Sequence, residues 1–430
     1  MEESPFQVWR VGDRRWTAEE EIRYGKWVEE NLTEDFFIRY KIPIDCADVP
    51  YAVRWIYARI AKLPAAAHTK NNRWIGHWSK DWGHLPTHKE WHKDQRFRKA
   101  LLHMLSETTT RTLPLDTYPI RVDLESVTPG TPFFITESHS GIVARIITDG
   151  SHVHPVQTWE STSPAKIQKL IQRNFLSTRP ESTTYSGLVK FRWPIFENGQ
   201  WRYLLQKKHP FYSEEQYSSH FYEGSIDYAE AVARRIDPRE YDPQERLEKL
   251  LETIANYLRE RIPIVLAGYQ RCQKGRCREG SELWEIYSTP GRDSFIMLLM
   301  DYLHQFVELN QLDKERLKER MESIFLPISK DRIVTFYHVY QNYLWLSSHP
   351  EDCIEARWGL KKCEMILSKI RATENSIRFI ERTYLKRDPK YAHFAIQQQK
   401  EILKRLDEEW NQSQCREEKG QKKAEKRRGL

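Results

Sequence analysis

One cysteine lies where an extended segment of this chain must change into a helix. Cys46 follows the apolar run Ile42–Ile44, and the chain after it has helical periodicity, with apolar residues at Val49, Val53, Ile56, Tyr57 and Ile60. Pro50 limits where the helix begins, because proline is tolerated only in the first turn. The helix is therefore predicted to begin near Cys46 and to end at about Lys62. At such a helix start, the positive end of the helix dipole favours a thiolate.

A histidine lies at the beginning of a predicted strand further along the chain. Residue alternation predicts strands at 119–124, 132–135, 141–147 and 152–157, and Asp149-Gly150 is a strong hairpin signal between the last two. His139 precedes the third strand and follows Cys46 by 93 residues. Acyl transfer through a thiol requires a nucleophile, a base, a residue that orients the base and an oxyanion donor. Cys46 and His139 are the candidate nucleophile and base, and the Cys46 N–H is the candidate donor.

Four short motifs follow one another within residues 36–160. They are Asp45-Cys46-Ala47-Asp48, Pro129-Gly130-Thr131 before an apolar strand, His139-Ser140-Gly141-Ile142-Val143, and Asp149-Gly150 with Val153-His154. Their order resembles that of the NlpC/P60 cysteine peptidases. The resemblance implies an α+β, papain-like catalytic domain in which Cys46 is the nucleophile, His139 the base and His154 the orienting residue. It also implies cleavage of an amide bond in a peptidoglycan stem peptide.

The chain departs from the family pattern in ways that concern the substrate more than the nucleophile. Ala47-Asp48 replaces Ser-Gly, Thr131 replaces an aspartate, and the segment between cysteine and histidine is long. The third catalytic residue also has alternatives. A simple hairpin centred on Asp149-Gly150 places Glu160 opposite His139 and His154 opposite Arg145. Glu160 and Gln157 therefore remain alternatives to His154, which a bulge would bring back into reach.

The segment at about 68–95 is rich in tryptophan and histidine and has no regular period. It is predicted to be a long ordered loop with one helical turn. One interpretation is that it walls the cleft, with Trp78 or Trp82 packing on the substrate, and the other is that its tryptophans bury the insert. Asp45 and Asp48 are further candidates for substrate binding. His88 and His92 have zinc-ligand spacing, but no third ligand follows in a familiar pattern, so neither metal nor cofactor is predicted.

The length of 430 residues suggests more than one domain. The prediction is a catalytic domain at 1–164, an irregular β-containing segment at 165–245, a mainly α-helical domain at 246–410 with a break near Pro263, and a basic disordered tail at 411–430. The tail holds seven Lys or Arg and three Glu, which accounts for +4 of the net charge of +7. A nucleic-acid-binding protein is therefore not predicted from the charge.

The cysteines and the apolar segments bear on the compartment. Cys272 and Cys277 enclose four residues and can close a small loop in an oxidising compartment, whereas a zinc site would lack its second pair. No apolar run reaches the length of about 18 residues that predicts a membrane span. The start of the chain as given has no signal-peptide pattern. The family resemblance implies the cell envelope, and the cytoplasm is the alternative.

The leading functional hypothesis is a thiol-dependent amidohydrolase that acts on a peptide or on a peptidoglycan stem. A second hypothesis is a transglutaminase-like acyl transferase, which uses the same cysteine and histidine with an aspartate as third residue. The third is a catalytically inactive peptidase-like binding module, in which the helical half contacts a partner. The oligomeric state is not predicted by the sequence.

Overall fold

A computed structural model of the chain describes residues 4–136, 138–148, 154–225, 227–239, 242–272, 276–279, 281–385 and 389–412. The chain divides into two units, the first formed by Met1–Asn256 with Asp301–Lys314 and the second by Tyr257–Met300 with Glu315–Leu430. Helices and strands both contribute, as the α+β prediction requires. Residues 413–430 of the tail predicted at 411–430, and the turn at Asp149-Gly150, lie outside the described residues.

The first unit combines a sheet with helices. Its helices are α1 (Ala18–Asn31), α2 (Phe36–Arg39), α3 (Asp48–Ala61), α4 (Gln95–Glu107), α5 (Leu113–Asp116) and α6 (Tyr228–Ile236). Its strands are β1 (Ala66–His68), β2 (Trp74–Gly76), β3 (Thr117–Pro119), β4 (Pro132–Ile135), β5 (His139–Ile146), β6 (Val156–Glu160), β7 (Ile171–Asn174), β8 (Gly187–Phe191), β9 (Pro194–Glu197) and β10 (Gln200–Tyr203). Short 3-10 turns are found at Trp91–Lys93, Gln206–Lys208, Glu215–Tyr217 and Ser219–Tyr222.

The remainder of the chain is mainly helical. Helices α7 (Pro243–Arg271) and α9 (Pro290–Leu309) contribute residues to both units. The others are α8 (Glu282–Tyr287), α10 (Lys314–Glu322), α11 (Phe336–Asn342), α12 (Ile354–Arg357), α13 (Lys362–Tyr384) and α14 (Pro389–Gln412), with a 3-10 turn at Tyr343–Trp345 and strands β11 (Phe325–Ser329) and β12 (Arg332–Thr335). No helix of the described residues is long and apolar enough to cross a membrane.

Helix α3 has the bounds that its sequence predicts. Pro50 lies in the first turn, and Lys62 ends the helix with a left-handed conformation at φ 56°. The backbone N–H groups of Ala47 and Asp48 both donate to the Asp45 carboxylate, at 2.9 and 3.1 Å. These bonds satisfy two of the donors that a helix start leaves open, so Cys46 lies in the capped turn at the helix mouth.

The central sheet is antiparallel and has the strand order β3-β8-β4-β5-β6-β7. Side chains alternate between its faces: Phe134, Ile142 and Val189 belong to the same buried core as residues of α1, α3 and α4. Phe133, Val143 and Leu188 belong to a second core with residues of α6. Because β8 pairs between β3 and β4, the sheet continues beyond residue 164, and the predicted domain boundary falls inside it.

Several predicted elements differ in the structure. Of the predicted strand at 119–124, only Pro119 belongs to a strand, because β3 ends there. The insert at 68–95 is not entirely a loop, because β1 and β2 pair as a hairpin at its start. Helix α7 continues through Pro263, where a break was predicted. Cys272 and Cys277 form a disulfide, which closes the small loop that their spacing allows.

Candidate active site

Cys46 is held between the start of α3 and the start of β5. Its side chain is buried, and its backbone oxygen accepts a hydrogen bond of 2.8 Å from the Ser140 hydroxyl. The segment before it is also fixed, because the Gln168 side-chain amide donates to the Ile44 carbonyl at 2.7 Å. Among the described residues, the Cys46 N–H has no hydrogen-bond acceptor. This donor is therefore available to an oxyanion formed beside the sulfur.

His139 is the first residue of β5, and its ring meets the Cys46 side chain. The two side chains are hydrogen-bonded. The Nε2 atom of His139 lies 2.9 Å from Oε2 of Glu160, so Nδ1 is the ring nitrogen left for the sulfur. The His139 side chain retains 19% exposure, so the ring is accessible from outside. The predicted cysteine–histidine pair is therefore formed by residues 93 positions apart in the sequence.

Glu160, at the end of β6, occupies the position of the third residue. One carboxylate oxygen contacts His139, and the other accepts a hydrogen bond of 2.7 Å from the Thr158 hydroxyl. The Arg173 Nε atom lies 3.4 Å from the first oxygen, and both of these charged side chains are buried. Burial alone would raise the pKa of Glu160, but His139, Arg173 and Thr158 together hold it below the usual value. The carboxylate is thus kept charged and aimed at the imidazole.

The same contacts keep His139 protonated. Burial by itself would lower its pKa, but the hydrogen bonds to Cys46 and Glu160 and the charges of both groups raise it to about 10. At neutral pH the ring is therefore an imidazolium.

The register of β5 and β6 explains how Glu160 reaches His139. Glu160 pairs with Gly141, and the register shifts between Val143 and Arg145. His139 and Gly141 point to the same face, so Glu160 is a diagonal neighbour of His139 rather than its direct partner. A Cβ atom on Gly141 would lie 2.9 Å from Cγ of Glu160 and 2.8 Å from the Trp159 oxygen. The missing side chain at Gly141 therefore leaves the room that Glu160 needs to cross to the imidazole.

His154 is not the orienting residue, and that prediction is wrong. Its Nε2 atom lies 3.0 Å from the Ala229 carbonyl, and its Nδ1 atom contacts the backbone of Val156. Burial lowers its pKa to about 4, so the ring is neutral and links α6 to the sheet. Gln157 is not the third residue either. Its amide donates to the His154 carbonyl and to the Asn174 side chain. It pairs with Arg145, the residue that the simple hairpin register places opposite His154.

Asp45 and Asp48 flank the nucleophile and bind each other's backbone. The Asp45 N–H donates to the Asp48 carboxylate at 2.8 Å, and the Asp48 N–H donates to Asp45. Burial and the neighbouring charge of Asp45 raise the pKa of Asp48 to about 8. Burial also raises the pKa of Asp45. The pair forms a reciprocal helix cap, and its role in substrate binding stays a prediction.

The two tryptophans proposed to pack on substrate have other contacts. Trp78 stacks on Trp201, with ring centroids 5.1 Å apart, and Trp82 lies against His103 at 5.4 Å. These contacts bury the insert against the rest of the first unit, which is the alternative that the sequence left open. No cluster of metal-binding side chains is found in the part of the chain that the structure describes.

Comparisons with protein-family models, with curated proteins and with solved structures give no match for this chain. The site is therefore interpreted from its own geometry. Sequence reasoning identified Cys46 and His139 and kept Glu160 as an alternative. It missed Arg173, whose strand β7 pairs with β6, and no signal in the sequence identifies a buried ion pair of that kind.

Proposed function

We propose that this chain is a thiol-dependent amidohydrolase with Cys46 as nucleophile, His139 as acid and base, and Glu160 as the residue that orients His139. The observation that carries the proposal is the continuous set of contacts from the Cys46 side chain through the His139 ring to the Glu160 carboxylate. A buried cysteine in a purely structural role requires neither an imidazolium beside it nor a carboxylate beyond that.

The arrangement supports a two-step acyl transfer. The Cys46 thiolate attacks the amide carbonyl, and the free Cys46 N–H is placed to donate to the resulting oxyanion. His139 gives its Nδ1 proton to the leaving amine, and a thioester remains on the sulfur. Water then attacks the thioester while His139 takes up its proton, which releases the acid and regenerates the thiolate. Throughout, Glu160 accepts from the opposite ring nitrogen and stabilises the imidazolium.

The substrate is proposed to be a peptide, and more narrowly a peptidoglycan stem peptide. The narrower proposal rests on the resemblance of residues 36–160 to the NlpC/P60 peptidases, several of which cut between D-glutamate and a diamino acid. The Cys272–Cys277 disulfide is consistent with it, because disulfides persist mainly in oxidising compartments such as the cell envelope.

The test compares two cysteine variants of the full chain. Cys46→Ala is expected to abolish both hydrolysis of a stem peptide and labelling by a peptidyl acyloxymethyl ketone, a probe that needs an activated thiolate. Cys353→Ala is the matched control, because Cys353 is a free and partly exposed cysteine. If Cys46→Ala were labelled as fast as the wild-type chain, Cys46 would not be the nucleophile.

A transglutaminase-like acyl transfer is the second candidate. The observation that favours it is the carboxylate of Glu160, since that class also orients its histidine with a carboxylate. The two functions differ in the acceptor that consumes the thioester. Incubation of a glutamine-containing peptide with a primary amine distinguishes them: formation of the amide product supports transfer, whereas formation of the free acid in the presence of amine supports hydrolysis.

A further inference from the structure

A cavity of about 570 Å³ lies in the first unit, away from the sheet strands that carry the candidate catalytic residues. It is formed by one face of α6, the start of α7 and the end of α9, and the side chains used below are Glu230, Arg234, Arg239, Arg246, Phe306 and Asn310. Its volume is typical of small-molecule sites, which span roughly 300 to 1,000 Å³. The proposed amide hydrolysis makes no use of it.

The lining of this cavity is unusually rich in guanidinium groups. Arg234, Arg239 and Arg246 all face it, whereas Glu230 is the one carboxylate among the lining residues described. Glu230 accepts from Arg234 at 2.9 Å and lies 3.5 Å from Arg246. Arg239 also binds the Asp237 carboxylate, which lies beside the lining. The three guanidiniums outnumber these two carboxylates by one, and each guanidinium carries five N–H donors, so the balance of these five side chains is positive.

Arg246 is held in place more firmly than a surface arginine. Its side chain is only 12% exposed, and it donates to the Tyr302 hydroxyl at 3.1 Å. Its guanidinium also lies 5.6 Å from the centre of the Phe306 ring. A fixed guanidinium loses little conformational entropy when it binds an oxyanion, and its planar fork matches carboxylate and phosphate oxygens.

The start of α7 adds to the positive potential. Pro243, the first residue of this 29-residue helix, lines the cavity. The N-terminus of a long helix carries a partial positive charge and attracts anions. Phe306 from α9 and Ala233 of α6 supply apolar surface to the same cavity. The cavity thus combines positively charged groups with apolar side chains.

We propose that this cavity binds a small organic anion, namely a carboxylate or phosphate attached to an apolar or aromatic body. The oxyanion would contact Arg234, Arg239 and Arg246, and the body would pack on Phe306. Asn310, which donates to the Phe306 carbonyl at 2.9 Å, keeps its amide oxygen for a polar substituent. The proposal does not depend on the thiol chemistry at Cys46.

Calorimetric titration of the full chain with phenyl phosphate and with benzoate tests the proposal, with phenol and inorganic phosphate as partial ligands. We expect one of the two aryl anions to bind at least about tenfold more tightly than either partial ligand, because charge and ring each contribute. Binding of phenyl phosphate alone indicates a phosphate ligand, and binding of benzoate alone indicates a carboxylate ligand. Failure of both anions to bind would overturn the proposal.

A double arginine variant and a single-residue control test whether the anion binds in this cavity. The double variant Arg234→Gln with Arg239→Gln removes two exposed guanidiniums from the cavity. It is expected to reduce the affinity for the anion by about tenfold or more. The matched control is Arg235→Gln on the same helix. Its guanidinium lies 3.9 Å from the Phe221 ring centre and donates to the Phe221 carbonyl, outside the lining. Equal affinity of the double variant and the wild type, with both folded by circular dichroism, would overturn the site.

Discussion

Replacing Glu160 by Gln tests the candidate site most directly. The substitution keeps the size of the side chain and a hydrogen-bond acceptor but removes the negative charge beside His139. The pKa of His139 is raised from 6.5 to about 10, although burial opposes the rise. At about 1.4 kcal/mol per unit, the rise corresponds to about 5 kcal/mol of preference for the imidazolium.

Cys46 and Glu160 both raise the pKa of His139, through their hydrogen bonds and their charges. Because burial lowers the pKa, their two contributions together exceed the net rise. If they are equal, loss of the carboxylate lowers the pKa of His139 by at least about 2 units, to about 8 or below. The variant also removes the carboxylate charge that lies 3.4 Å from the buried Arg173 guanidinium, which is expected to reduce the free energy of unfolding by roughly 3 kcal/mol. Both effects have the same cause, the removal of one buried charge from a contact set that holds two cations.

The assay combines two pH series on the same samples. NMR of the labelled histidine ring follows protonation of His139 between pH 5 and pH 11, and iodoacetamide alkylation follows the thiolate of Cys46. We expect the His139 midpoint to fall by at least about 2 units and the alkylation rate at pH 6 to fall by about tenfold or more, since a weaker imidazolium stabilises less thiolate. Circular dichroism at each pH confirms that the variant is folded.

Thr158→Val is the control for this experiment. It removes the hydrogen bond to the other oxygen of Glu160 but keeps the carboxylate, so the pKa of His139 is expected to change by less than about 1 unit. The reasoning fails if folded Glu160→Gln retains the His139 titration and the Cys46 alkylation profile of the wild type. In that case Glu160 would not control the protonation of His139, and the raised pKa of His139 would have another origin.

Three further predictions follow from the same geometry. Gly141→Ala is expected to lower hydrolysis by about tenfold or more and the free energy of unfolding by about 1–3 kcal/mol, because the added methyl group meets side-chain and backbone atoms closer than 3.0 Å; unchanged urea denaturation and turnover would contradict it. His139 binds its proton more tightly in the folded chain, so its stabilisation is complete below pH 6.5 and is lost as the pH rises through about 10. The difference in Tm between wild type and His139→Gln should therefore shrink over that range. Peptide mapping without reductant should recover Cys272 and Cys277 in one linked fragment, and two separately alkylated cysteines would refute the disulfide.

The sequence by itself determined the elements that depend on neighbouring residues. Thr17 caps α1 and accepts from the Glu20 N–H, and the four neighbouring residues Thr17-Ala18-Glu19-Glu20 have the pattern of a capping box. Pro50 restricts the start of α3, so the position of Cys46 at a helix mouth follows from local sterics. These features depend on atoms within a few residues of one another, and their energies do not change with the rest of the fold.

Only the tertiary structure decided which of Glu160, Gln157 and His154 contacts the His139 ring. The sequence left all three open. In the structure Glu160 pairs with Gly141 and reaches the imidazole as a diagonal neighbour, in a strand pair whose register shifts between Val143 and Arg145. The contribution of Arg173 requires β7 to pair beside β6, and the continuation of the sheet requires β8 to enter between β3 and β4. These choices are set by packing between residues far apart in the chain, where the burial of apolar faces and of paired charges outweighs local propensity.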